Sequence, residues 1–63
     1  MVVQRYTLFT LRNGRLIGQH LVLAACDTAA TEAAWQLANE PYCELWDGER
    51  LVAFIERNRT VTI

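Results

Sequence analysis

Residues 44–55, Glu-Leu-Trp-Asp-Gly-Glu-Arg-Leu-Val-Ala-Phe-Ile, set apolar runs on both sides of Asp47-Gly48. Such a pair between alternating apolar residues is the strongest short-range mark of a β-hairpin. Alternation of side chains across a strand then limits the loop. A two-residue Asp47-Gly48 loop sets Leu45 opposite Arg50 and Glu44 opposite Leu51, mixing charge and hydrocarbon on both faces. A three-residue loop, Trp46-Asp47-Gly48, puts the glycine where a left-handed backbone is wanted and sets Glu44 opposite Arg50 as a cross-strand ion pair. It gathers Cys43, Leu45, Leu51, Ala53 and Ile55 on one face, and it is the preferred register. Tyr42, Trp46, Val52 and Phe54 then fall on or near the other face, which is too apolar to be only a wetted surface.

An earlier pair of strands precedes this hairpin. Residues 2–11 are rich in β-branched and aromatic side chains, Asn13-Gly14 is the preferred type I′ turn pair, and residues 15–24 form the return strand. Direct pairing across that turn sets Tyr6 opposite Leu21 and Phe9 opposite Gly18. It makes Tyr6, Leu8, Ile17, Leu21 and Leu23 the more apolar face, assigned to the core. Phe9, Leu11, Leu16 and Val22 lie opposite, interleaved with Arg5, Thr7 and His20. Asp27 or Thr28 then caps a helix reaching Leu37 or Ala38, with Ala30, Ala33, Ala34, Leu37 and Ala38 as its apolar stripe. Asn39 ends that helix and Pro41 blocks its continuation.

The expected class is α+β, ββαββ: a four-stranded sheet with one helix on one face. A right-handed crossover makes the second and third strands parallel. Residues 1–56 form the single domain, and 57–63 a tail that is disordered or pairs with a neighbouring chain's edge. A chain of 63 residues buries only about 60% of its unfolded surface and gains much from a partner. The net charge of −1 sets up no global field for nucleic acid or an anionic membrane. No signal peptide and no membrane-spanning run is visible, so a cytoplasmic protein with reduced Cys26 and Cys43 is expected.

Tyr6, Leu8 and Phe9, the Asn13-Gly14 turn, the alanine-rich stretch 29–38 and the run Glu-Leu-Trp-x-Gly-x-Arg-Leu-Val-Ala at 44–53 occur here in that order. In this the chain resembles a family of short bacterial ββαββ proteins to which no function is assigned. The likeness covers about residues 5–55 and is most specific in the closing hairpin. It implies the fold and carries no activity or catalytic residue.

The leading functional expectation is a small non-enzymatic homodimer. Its outer sheet face, with Phe9, Leu11, Leu16, Val22, Tyr42, Trp46, Val52 and Phe54, would pack on a second copy, because one helix covers one face of a sheet. Edge pairing or exchange of an element between chains is a related route. The alternative is nucleic-acid binding through Arg5, Arg12, Arg15, Arg57 and Arg59 with neighbouring aromatics, against which the balanced charge and the absence of lysine count. Third is a thiol role for Cys26, whose place ahead of the helix favours the thiolate while Asp27 beside it opposes that. Cys26, Cys43 and His20 lack the spacing and fourth ligand of a zinc site. The expected cofactor and metal are none.

Overall fold

The computed structural model describes residues 2–38, 40–56 and 59–63. Its elements are β1 (Gln4–Arg12), β2 (Arg15–Ala24), α1 (Asp27–Leu37), β3 (Tyr42–Asp47), β4 (Arg50–Glu56) and β5 (Arg59–Thr62). The class is α+β. The strands lie in the order β2-β1-β3-β4-β5 with every neighbouring pair antiparallel. β2 and β3 both oppose β1, so they run in the same direction with β1 between them. The sheet has five strands rather than the expected four. The tail supplies the fifth along the edge of β4, and Ile63 N–H donates to the Val52 carbonyl at 3.1 Å.

Both hairpins carry a β-bulge, and the bulges decide which residues form the core. Asn13 and Gly14 take φ of 53° and 77°, as a two-residue type I′ turn requires, and Arg12 faces Arg15 across it. One step later the register slips: Leu11 faces Leu16 but Thr10 faces Gly18, leaving Ile17 as the extra residue. Every side chain beyond the bulge changes face. Tyr6 therefore meets Val22, not Leu21. Val22 and Ala24 enter the core, whereas Ile17, Leu21 and Leu23, expected there, are exposed at 46%, 61% and 58%. His20 moves with Val22 to the helix side, where its edge position keeps it exposed. Thr10, rather than Phe9, lies over Gly18.

The closing hairpin departs from its expected register in the same way. Asp47 faces Arg50 across a two-residue Gly48-Glu49 loop, with Gly48 at φ 60° in the first position, as in a type II′ turn. Trp46 then faces Leu51 while Leu45 faces Ala53, so Val52 is the extra residue. Cys43, Leu45, Ala53 and Ile55 share the buried face as expected, but Leu51 does not, and Val52 is buried in its place.

α1 closes this face. Ala30 and Ala34 are fully buried and Ala33 and Ala38 pack at the margin, while Leu37 of the expected stripe stays 44% exposed. Small side chains on the helix meet small ones on the strands (Val22, Ala24, Ala53), which lets helix and sheet approach closely. Tyr6, Leu8, Leu45 and Cys43 fill the space between. The helix start differs from expectation. Cys26 occupies the N-cap with no side-chain cap, and Asp27 is the first helical residue. The helix ends at Leu37 with Ala38 as C-cap; Asn39, expected to end it, lies outside the described residues.

Candidate protein interface

Asp27 is not a cap because its carboxylate is engaged elsewhere. The Tyr6 hydroxyl donates to Asp27 Oδ1 at 2.8 Å, and Arg50 grips both oxygens through Nη1 and Nη2 at 2.9 and 3.1 Å. Arg50 Nη2 also reaches Asp47 Oδ2 at 2.9 Å. The cluster ties the start of α1 to β1 and to the β3–β4 turn. The Arg50 and Tyr6 hydrogen bonds hold the Asp27 carboxyl below its ordinary value. Burial of the ring, then donation to Asp27, pushes Tyr6 up to about 12. Arg50, expected to pair with Glu44, is thus committed on the opposite side of the sheet, and Glu44 has other partners.

Those partners define the outer face. Tyr42, Glu44 and Trp46 alternate along β3 onto the side away from α1, where the Tyr42 hydroxyl donates to Glu44 Oε2 and Trp46 Nε1–H to Glu44 Oε1, both at 3.0 Å. Burial, then donation to Glu44, raises the Tyr42 hydroxyl above its ordinary value. Cross-strand pairing sets Phe9 and Phe54 on either side of Glu44, and the Tyr42 and Phe54 rings stack at 5.9 Å. A half-buried carboxylate therefore sits among four aromatic rings on the middle strand.

The register sorts this face into rows across the strands. One runs Leu23–Arg5; the next Leu21–Thr7–Trp46–Leu51; the third Gln19–Phe9–Glu44–Phe54–Val61; the fourth Leu16–Leu11–Tyr42–Glu56–Arg59. Leu16, Leu21 and Leu23 at the β2 margin are more than half exposed, and Phe9, Leu11, Tyr42, Trp46, Leu51, Phe54 and Val61 are partly so. Six of the eight residues expected here, Phe9, Leu11, Leu16, Tyr42, Trp46 and Phe54, do share the face. Val22 and Val52 do not: the two bulges turn them to the helix side, where they are 3% and 5% exposed. Leu21, Leu23 and Leu51 take their places. The glycine and paired strands of the first hairpin are consistent with either register, so nothing local in the sequence announced the exchange.

The arginines do not gather. Arg12 pairs with Glu40 at 2.6 Å and faces Arg15 at the β1–β2 turn, while Arg5 lies at the other end of β1. Arg59 is on the far edge strand opposite Glu56, and Arg57 lies outside the described residues. Cys26 is an exposed free thiol, and Cys43 a buried one whose pKa is raised by burial, with its Sγ 3.8 Å from the Glu40 carbonyl. Among the described residues no three His, Cys, Asp or Glu side chains are placed to hold a metal ion, and no helix is long and apolar enough to cross a membrane.

Fold and face together define a small α+β protein whose sheet is roofed by a helix on one side and lined with open apolar rows on the other. Comparison with family models, curated proteins and solved structures finds no match.

Proposed function

We propose that this chain is a non-enzymatic interaction protein that works as a homodimer, joined through the outer face of its sheet. The observation that carries the reading is the pair of rows Leu21–Thr7–Trp46–Leu51 and Gln19–Phe9–Glu44–Phe54–Val61, which no element among the described residues covers. Monomers rarely leave a contiguous apolar patch larger than a few hundred Å² in water. Packing one such face on another completes a sandwich with strands aligned. It also gives a short chain the burial that its single helix does not provide. A cytoplasmic setting, in which exposed Cys26 stays reduced, belongs to the same reading.

Sedimentation equilibrium of the intact chain tests it. The expected result is a monomer–dimer equilibrium that Trp46→Ser shifts toward monomer while the far-ultraviolet circular dichroism stays unchanged. A folded chain that remains monomeric up to high micromolar concentration would overturn the proposal.

A further inference from the structure

Glu44 constrains how two such faces can meet. It stands on the central strand, among the rings that a partner would cover, and it forms no ion pair among the described residues. Burying a carboxylate without a cation is strongly unfavourable. Tyr42 and Trp46 each take one acceptor position on Glu44, and a carboxylate has about four, so room remains for a guanidinium.

Two arginines belong to the outer face among the described residues. Arg59 is on the edge strand β5, across from Glu56 and two strands away from Glu44. Arg5 is exposed and has no ion-pair partner among the described residues. It is on the same face as Phe9, two side-chain steps along β1, and Phe9 is the cross-strand neighbour of Glu44.

Symmetry turns this spacing into a docking geometry. In a face-to-face pair the two-fold axis lies between the sheets and parallel to them. An axis running along β3, or along the row through Glu44, would lay each Glu44 on its own copy. An axis along the row Leu21–Thr7–Trp46–Leu51 exchanges the rows on either side of it. The Arg5 row then falls on the Phe9 row, about 14 Å away within one sheet.

We infer that a second copy of this chain docks about that axis, placing the Arg5 guanidinium of each chain over Phe9 and against Glu44 of the other. The inference rests on the homodimer reading above. The pair is reciprocal, as a two-fold interface demands. The guanidinium stacks on an aromatic face while reaching a carboxylate, a combination suited to Arg rather than Lys. The apolar row on the axis packs against its own copy, so leucine meets leucine and tryptophan meets tryptophan at the centre of the interface.

Charge reversal tests the arrangement. Arg5→Glu leaves each chain with two carboxylates to bring together, and Glu44→Arg leaves two guanidinia. Each variant alone should dimerise about tenfold or more weakly than the parent, with unchanged circular dichroism. Mixed in equal amounts, they should recover a dimer close to parental affinity, because the mixed dimer keeps one Arg5–Glu44 pair as in the parent and forms the other with its charges exchanged. A parent that dimerises while Arg5→Glu dimerises equally well, or a mixture no tighter than the separate variants, overturns this inference and leaves the homodimer standing. A parent that never dimerises removes both. Arg5 is exposed, so Arg5→Glu by itself keeps the inference testable if Glu44→Arg disturbs β3.

Discussion

Thr10 and Gly18 face each other across β1 and β2 with no room between them: a Cβ at Gly18 would stand 2.9 Å from Thr10 Oγ1. Thr10 is itself 4% exposed, and a β-branched side chain is stiff at χ1, so it does not turn aside freely. The backbone of Gly18 is not left-handed, so alanine is conformationally allowed there and would gain about 0.4–1 kcal/mol by restricting the unfolded chain. Overpacking of about 1–3 kcal/mol outweighs that gain. Gly18→Ala is therefore expected to lower the urea midpoint, and Thr10→Ala in the same chain to recover part of the loss. A midpoint equal to or above the parent's would show that the approach is not constraining.

Neighbouring residues of β2 separate the two possible registers. Val22→Ala removes two carbons from the closed core and should cost about 2 kcal/mol, counting transfer and cavity. Leu21→Ala removes more hydrocarbon but from an open surface, and should change the stability of the isolated chain by less than about 0.5 kcal/mol. Unfolding at a concentration low enough to keep chains apart makes the comparison. The reverse ranking would mean that β2 pairs without its bulge at Ile17.

Asp27 makes the fold acid-sensitive. Its carboxyl is held below its ordinary value in the folded chain, first by Arg50 and then by Tyr6. The stabilisation is therefore full above the unfolded value, about 3.9, and fades as pH falls through the lower folded value. Asp27→Asn should be less stable than the parent at neutral pH, with the two stability curves converging as the pH drops below the carboxylate range. A gap that persists undiminished in strong acid would deny the ion pair its role.

The two thiols should react in separate phases. Cys26 is exposed and Cys43 is buried, its thiol pushed up by burial. A neutral alkylating reagent is expected to modify one thiol per chain at once and the second only at the rate of unfolding, with Cys26→Ser abolishing the fast phase. Fast reaction of both would mean that β3 opens without global unfolding.

Much of the architecture is legible along the chain because its signals are local. Asn13-Gly14 and the reversal after Asp47 mark the turns, alternation marks the strands, and Ala30, Ala33, Ala34 and Ala38 mark a helix that must sit close on a sheet. The grouping of Cys43, Leu45, Ala53 and Ile55 follows from parity alone. The Tyr42 and Trp46 sides of the bracket around Glu44 are implicit in alternation too, since residues 42, 44 and 46 share a face in any strand; an expected Glu44–Arg50 pair hides it.

What alternation could not supply is the place where alternation stops. A bulge adds one residue, and its cause is not in the strand that carries it. Gly18, Val22 and Ala24 face the helix because small side chains admit the alanines of α1, and Leu21 and Leu23 go outward because they would hold it off. Arg50 turns toward Asp27 and away from Glu44 because helix and hairpin meet only in three dimensions. Four of the strands, the helix, their order along the chain and the presence of two apolar sheet faces are set by nearest neighbours and short periods, whereas β5 is a strand only through the β4 edge it pairs with. Tertiary packing decided which residues line each face, because one extra residue in each hairpin reverses every side chain beyond it, and only the fit of helix on sheet selects that reversal.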